Sequence, residues 1–417
     1  MNIAAVVTTR CPLTGSRVLL PGLRLAPRAG CRAAALLLRA APSAVGWLAG
    51  WLAAEFGPQA LTGQVLSGVP PLPLGRVAIS WAAQRADQVL GAALAEALGA
   101  GYRDLVCHPL DDQHGCPRRD NLWHMAGQRR RYAAQTSDIA YGPAGHDNLL
   151  DIWRHPGPPN PRPAPVLVQV PGGGWAVNGK RGQAYPLMSR MVEHGWICVS
   201  IDYRKSPRAA WPAHIIDVKR AIAWVRENIA DFGGDPGFIA ITGGSAGGHL
   251  AALAALTAGD TRLQPGFEHV DTGVQAAVPC YGVYDLTAVE HMHAMMLPFL
   301  EHFVMQTRYT DDPGLFRAAS PITHAHRGAP PFFVLHGSND SLIPSAQARS
   351  FCAALRAAGA ATVCYAELPN AHHAFDTVAT ARSRLTADAV ADFLGAIYGR
   401  YACTRTGSVP LEVSPAS

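Results

Sequence analysis

The sequence predicts an α/β fold in which helices cover both faces of a mostly parallel β-sheet. Apolar residues make up 49% of the 417 residues and charged residues 16%, which is typical of a globular, core-forming chain and not of a disordered one. From about residue 132, short runs rich in Val and Ile alternate with stretches of helical length. Continuous apolar runs between helices are typical of strands that are buried on both faces, as in a parallel sheet.

The predicted elements follow one another in a regular order. Two strands, 138–141 and 149–153, are predicted to pair through the turn between them. After a Pro-rich break at 156–165, strands are predicted at 166–170, 197–202, 238–242, 274–279, 332–336 and 362–366, with helices at 212–231, 249–258, 345–358 and 382–398. An Ala-rich stretch at 77–98 has helical spacing and precedes this series.

We expect three parts: an N-terminal helical extension at 1–130 that acts as a cap or faces a membrane, a catalytic domain at 131–402, and a flexible tail at 403–417. The first 54 residues carry six arginines and no acidic residue, as in a transit peptide, a membrane-surface helix or a basic extension. The longest uncharged apolar stretch there, 40–54, is shorter than the roughly 20 residues that span a bilayer. We therefore predict a cytoplasmic protein, with peripheral membrane contact through the extension left open.

Composition and spacing exclude several classes of function. The net charge is only +5, and no basic stripe interleaved with aromatic residues predicts a nucleic-acid partner. The nine cysteines contain no Cys-x-x-Cys pair, which favours reduced thiols. Cys107, His108, His114, Cys116 and His124 match no zinc spacing. We predict no metal and no other cofactor, and the oligomeric state cannot be predicted from these features.

The most informative residue is Ser245, in the run Gly-Gly-Ser-Ala-Gly-Gly at 243–248. The run follows a predicted strand and precedes a predicted helix. A serine between glycines at such a turn is typical of a nucleophile elbow, in which the tight turn exposes the hydroxyl above the sheet. An ordinary Gly-rich turn is the alternative.

A serine nucleophile needs a base and an acid that orients the base. Asp340 follows the strand at 332–336, and His373 lies in a short loop after the strand at 362–366. Their order after Ser245 matches the order Ser, Asp, His of one known arrangement, and both lie at carboxyl ends of strands. His372 is the rival base.

A glycine run follows the strand at 166–170. Gly172, Gly173 and Gly174 leave their backbone N–H groups open to a developing oxyanion. The overlapping run from Gly174 to Lys180 fits a phosphate-binding loop, but Arg181 stands where that loop needs Ser or Thr. A nucleotide site is therefore not predicted.

The chain from about 135 to 400 resembles the hormone-sensitive-lipase-like branch (bacterial family IV) of the α/β-hydrolase carboxylesterases and lipases. The matching pieces are Gly172–Gly174, Asp202-Tyr203-Arg204, Pro212 with the Asp217 helix, Phe232–Pro236, Gly243–Gly248, Asp340 before Leu342-Ile343-Pro344, and His373-Ala374-Phe375. The resemblance implies that Ser245 is the nucleophile, His373 the general base and acid, and Asp340 its orienting acid. It also implies an oxyanion hole formed by the N–H groups of Gly173, Gly174 and Ala246, and a lid built from N-terminal helices.

Two positions depart from the family pattern: Pro171 stands where His is usual, and Gly244 where Asp is frequent. The predicted function is hydrolysis of carboxylic esters with short or medium acyl chains, including lipid esters, through an acyl-enzyme. An arylformamidase-like amide hydrolase and a catalytically silent binding protein are the alternatives. The Met- and Phe-rich segment at 286–303 suits either an acyl-chain pocket or packing onto the core.

Overall fold

In the part of the chain that the structure describes, eight strands form one sheet. They are β1 (Ile139–Ala140), β2 (Leu149–Trp153), β3 (Ala164–Val170), β4 (Ile197–Ile201), β5 (Gly234–Gly244), β6 (Ala276–Cys280), β7 (Phe332–Gly337) and β8 (Val363–Leu368). Their order across the sheet is β1-β2-β4-β3-β5-β6-β7-β8. Strands β1 and β2 pair antiparallel, β2 pairs antiparallel with β4, and all other neighbours are parallel. The prediction of a mostly parallel sheet is therefore confirmed.

The computed structural model describes residues 73–110, 122–134, 136–157 and 162–406. The predictions for the Arg-rich segment at 1–54 and for residues 407–417 lie outside these ranges. In the described part, the helices are α1 (Pro73–Leu98), α2 (Leu122–Ala133), α3 (Tyr185–Glu193), α4 (Ala213–Asn228), α5 (Ala246–Leu256), α6 (Met296–Phe299), α7 (Pro313–Ala318), α8 (Ala346–Ala357) and α9 (Ala381–Thr406).

Helices cover both faces of the sheet. Every residue of β3, β4, β6 and β7 is buried, as expected for strands between two helical layers. One buried cluster joins the sheet to α4, α5 and α8. The other joins its opposite face to α1, α3 and α9. These layers hold the carboxyl ends of β3, β5, β7 and β8 at one edge, where the loops bearing the predicted site residues emerge.

Helix α1 is the longest described element of the predicted N-terminal extension. It packs against β8 and α9. Leu90 and Leu94 belong to the same buried cluster as Phe333 of β7 and Phe393 of α9, and the Cys364 thiol lies 3.2 Å from the Ala93 carbonyl oxygen. This part of the extension therefore lies on a face of the sheet, in the layer that α9 also forms.

The terminal helix α9 ends at Thr406, so its last four residues lie in the segment 403–417 that was expected to be a flexible tail. The physical reason is a side-chain anchor. Arg405 Nη1 lies 3.2 Å from Asp235 Oδ2 and 2.8 Å from the Tyr401 hydroxyl. Within the described ranges, no helix combines the length and the hydropathy that crossing a membrane requires.

Candidate active site

Ser245 occupies a tight turn between β5 and α5. Its φ of 58° and ψ of −123° lie outside the regions that non-glycine residues ordinarily adopt, and its backbone N–H donates to the Cys280 carbonyl oxygen at 2.9 Å. A side chain at Gly244 would collide with the Tyr281 hydroxyl, and one at Gly247 with the Val170 carbonyl oxygen. The glycines of the motif are therefore a steric requirement of this turn.

The structure brings Ser245, His373 and Asp340 into one hydrogen-bonded line. His373 Nε2 lies 2.9 Å from Ser245 Oγ, and His373 Nδ1 lies 2.7 Å from Asp340 Oδ2. This order of partners is chemically suited to proton transfer, because a carboxylate facing Nδ1 favours the tautomer in which Nε2 is free to accept a hydroxyl proton.

Asp340 is fully buried, with both oxygens engaged. Oδ1 accepts from the N–H groups of Leu342 at 3.0 Å and Ile343 at 2.9 Å. Burial would raise the pKa of this carboxyl, but His373 and His336 outweigh burial and hold the pKa well below its usual value. Because the folded-state pKa is depressed, the carboxylate stabilises the fold above the usual pKa of aspartate, and this stabilisation is lost as the pH falls below it.

His336 was not singled out from the sequence, although it lies four residues before Asp340 on β7. Its Nε2 donates to the Ile343 carbonyl oxygen at 2.8 Å and lies 3.4 Å from Asp340 Oδ2. The imidazole is fully buried, and its hydrogen bond to Ile343 ties the end of β7 to the loop that carries Asp340. Its position at the carboxyl end of a strand was a signal that could have found it.

The rival base, His372, is not part of this hydrogen-bonded line. It is buried, and neither of its ring nitrogens has a hydrogen-bond partner in the described part of the chain. Two acids in the segments that match the family, Asp202 and Asp235, form ion pairs of their own: Asp202 with Lys180 at 2.7 Å and Asp235 with Arg405 at 3.2 Å.

The glycine loop after β3 has an unusual backbone. Gly173 and Gly174 have φ of 112° and 59°, and among the described residues neither N–H donates to another protein group. Ala246 is the first residue of α5, so its N–H has no acceptor within the helix. Two hydrogen bonds fix the start of the loop: Gly172 N–H donates to Gln183 at 2.8 Å, and the Tyr203 hydroxyl donates to the Pro171 carbonyl oxygen at 3.0 Å.

The buried Tyr281 and the partly buried Asp376 form a hydrogen-bonded pair beside His373. The Tyr281 ring lies edge-on to the His373 ring, with centroids 4.8 Å apart, and its hydroxyl donates to Asp376 Oδ1. Burial raises the pKa of Asp376. Sequence reasoning missed this pair, because nothing in the chain order links a residue after β6 with one after β8.

Several large apolar side chains are exposed in segments next to the site residues. Within the described ranges, the large apolar side chains that remain exposed lie in three segments that adjoin the site: Val177 beside the glycine loop, Leu342 beside Asp340, and Val289, Met295 and Phe303 in the segment 286–304. That segment reaches the glycine loop through Phe299, whose Cζ lies 3.4 Å from where a Cβ on Gly174 would stand. No group of three or more residues suited to hold a metal ion occurs among the described residues.

Comparison with known proteins places this geometry in a family. The BD-FAE family model matches residues 150–355. The esterase LipQ of Mycobacterium tuberculosis is 66% identical over 422 residues, and the match covers 100% of both chains. The probable carboxylic ester hydrolase LipM of the same organism is 52% identical, over 81% of this chain and 78% of LipM.

A solved structure described as a truncated carbohydrate esterase from gut microbiota has a TM-score of 0.53 and 24% identity, over 64% of this chain and 97% of that one. This likeness shows that the two chains share a fold. Together with the full-length match to LipQ, the site geometry leads to one conclusion: the chain belongs to the hormone-sensitive-lipase-like esterases of the α/β-hydrolase fold, and it is an enzyme that hydrolyses carboxylic esters.

Proposed function

We propose that Ser245 is the nucleophile of this esterase, that His373 is its general base and acid, and that Asp340 orients His373. The observation that carries the proposal is the pair of hydrogen bonds of 2.9 and 2.7 Å that joins the three side chains. A positioned base is required because a serine hydroxyl is a weak nucleophile at its own pKa.

The reaction takes two steps. His373 Nε2 takes the hydroxyl proton as Ser245 Oγ bonds to the ester carbonyl carbon, and the carbonyl oxygen becomes an oxyanion. His373 then gives this proton to the alkoxide oxygen as the carbon–oxygen bond breaks, which releases the alcohol and leaves an acyl-enzyme. Water repeats the sequence through His373 and frees the acid.

The oxyanion hole in this proposal consists of the N–H groups of Gly173, Gly174 and Ala246. Two observations support it: the loop amides of Gly173 and Gly174 have no acceptor in the described part of the chain, and Ala246 begins a helix directly after Ser245, so that the positive end of the helix dipole lies next to the nucleophile. Each such donor is worth about 2.7–4 kcal/mol of transition-state stabilisation.

The proposed substrates are esters of apolar acids with short or medium chains. Phe299 lies against the glycine loop and stacks on Phe303 with centroids 5.4 Å apart. An acyl chain that leaves the oxyanion hole toward this segment would exchange water for these rings.

The test is hydrolysis of chromogenic esters of increasing acyl length by wild type and by Ser245→Ala. We expect the variant to lose at least about 10⁴-fold in kcat, because it keeps the oxyanion hole but lacks the nucleophile. Ser189→Ala is the matched control, since this buried hydroxyl of α3 has no hydrogen-bond partner in the described residues. Activity in Ser245→Ala equal to that of Ser189→Ala would refute the assignment, and a preference for formylated aryl amides over every ester would make the enzyme an amide hydrolase.

A further inference from the structure

Two buried side chains that the proposed mechanism does not use connect the glycine loop to the helix after Ser245. Trp175 directly follows Gly174 and is 2% exposed, and His249 of α5 is 1% exposed. Trp175 Nε1 lies 3.2 Å from His249 Nδ1, and the rings meet edge-on with centroids 5.2 Å apart and an interplanar angle of 80°.

The partners fix the tautomer of His249. Indole nitrogen only donates hydrogen bonds, so His249 Nδ1 must accept and the ring proton must be on Nε2. That proton points at the Ala319 carbonyl oxygen, 2.7 Å away. Burial lowers the pKa of His249 to about 4, which is consistent with a neutral imidazole that accepts on one side and donates on the other.

The position of each partner makes this contact relevant to the oxyanion hole. Trp175 has φ of 57°, a backbone conformation that is strained for a bulky residue and persists only where its surroundings hold it. His249 lies one helical turn after Ser245, and its N–H donates to the Ser245 carbonyl oxygen at 3.0 Å. The hydrogen bond thus joins the loop that carries Gly173 and Gly174 to the helix that begins with Ala246.

We propose that the Trp175–His249 hydrogen bond positions the two halves of the oxyanion hole against each other. Trp175 and His249 are positioning residues in this proposal, which rests on the proposed function because it presumes an oxyanion held by Gly173, Gly174 and Ala246. A displacement of reacting groups by about 1 Å can cost roughly 10²-fold in rate. Loss of this hydrogen bond should therefore lower kcat and leave KM nearly unchanged.

Three variants separate this role from simple packing. Trp175→Phe keeps the ring and removes the N–H donor. In His249→Asn the side-chain amide oxygen occupies the place of Nδ1 and can still accept from Trp175, whereas in His249→Gln the amide stands near Nε2 and keeps only the bond to Ala319. For each variant, the measurements are kcat and KM on a soluble nitrophenyl ester, the Ki of a trifluoromethyl ketone whose adduct oxygen occupies the oxyanion hole, and Tm.

We expect Trp175→Phe and His249→Gln to lose about 10- to 100-fold in kcat and to bind the ketone correspondingly more weakly, with KM within about 3-fold of wild type. His249→Asn should stay within about 3-fold in kcat even though it loses the Ala319 bond. A double Trp175→Phe/His249→Gln variant should fall no further than either single variant.

The proposal is wrong if Trp175→Phe keeps the wild-type kcat, or if His249→Asn falls as far as His249→Gln with losses that follow Tm. If Trp175→Phe is not recovered folded, the comparison of the two His249 variants decides alone. Ser245→Ala is assayed in parallel. If Ser245→Ala is inactive and the Trp175 and His249 variants keep the wild-type kcat, only the positioning role of the Trp175–His249 hydrogen bond is refuted. If Ser245→Ala is active, the proposed catalytic site is refuted.

Discussion

At the scale of single residues, Asp340 has a different task for each of its two oxygens. Oδ1 accepts from two backbone N–H groups and so fixes the turn, while Oδ2 faces His373 at 2.7 Å. The two backbone donors on Oδ1 hold the carboxylate in the orientation that turns Oδ2 toward the imidazole. Replacing the residue by its amide separates the two tasks, since the amide oxygen can keep the turn and the amide nitrogen cannot accept from His373.

We therefore expect Asp340→Asn to fold and to lose about 10⁴-fold in kcat, with little change in KM. The amide N–H₂ would face His373 Nδ1 and force the ring proton onto Nε2, where it blocks proton transfer from Ser245. Steady-state kinetics and Tm are the measurements, and Asp231→Asn, at an exposed position, is the control. A loss of less than about 10-fold would mean that Asp340 does not set the tautomer.

At the scale of elements, the segment 286–304 between β6 and α7 packs against the glycine loop through Phe299. It contains α6 and a π-helical turn at 300–304, and Phe299 at the end of α6 touches the loop while Met295 is 73% exposed. The sequence left two interpretations of this segment, an acyl-chain pocket or packing onto the core. Leu300 and Val304 are buried in the core, whereas Phe299 lies against the glycine loop, where an acyl-chain pocket stays a prediction.

Phe299→Ala should shift the preferred acyl length upward, because loss of the ring opens space beside Gly174 for further methylenes. Each additional buried CH₂ is worth about 0.8 kcal/mol, or roughly 4-fold in kcat/KM. The measurement is kcat/KM over a series of nitrophenyl esters. Met295→Ala, in the same segment but directed to solvent, should leave the profile unchanged. An unaltered optimum in Phe299→Ala would exclude this wall as the acyl pocket.

The elements that were easiest to predict from the sequence are those whose backbone conformation or burial only a few residue types allow. The elbow at 243–248 and the glycine loop were predictable because their backbone needs glycine, and the buried strands because they are continuously apolar. The contacts of His249 and Tyr281 could not be predicted in this way, since each depends on a partner that the fold brings near: Trp175 and Asp376. Strand β5 also begins four residues earlier than predicted, at Gly234, because Gly234 pairs with Ala164 across a register shift.

At the scale of the whole molecule, the sequence predicts a domain boundary near residue 130, between the N-terminal extension and the catalytic domain. Whether this boundary separates two folding units depends on how α1 packs against the sheet. The sequence predicted a helix here, in an extension expected to act as a cap or to face a membrane. In the structure Leu90 and Leu94 are 2% and 1% exposed and share a core with β7, β8 and α9. We infer that the described part of the extension and the α/β layers unfold as one cooperative unit.

Leu94→Ala tests this inference, because removal of a buried leucine from a shared core lowers the free energy of unfolding by about 2–5 kcal/mol. If α1 is part of that unit, urea unfolding followed by far-UV circular dichroism, tryptophan fluorescence and residual esterase activity should give one transition, at a lower midpoint for all three probes. Gln88→Ala, at an exposed position of the same helix, should leave the midpoint within error of wild type. If activity and fluorescence keep the wild-type midpoint while only part of the helical signal is lost earlier, α1 would be a separable extension and the division near residue 130 would be a true domain boundary.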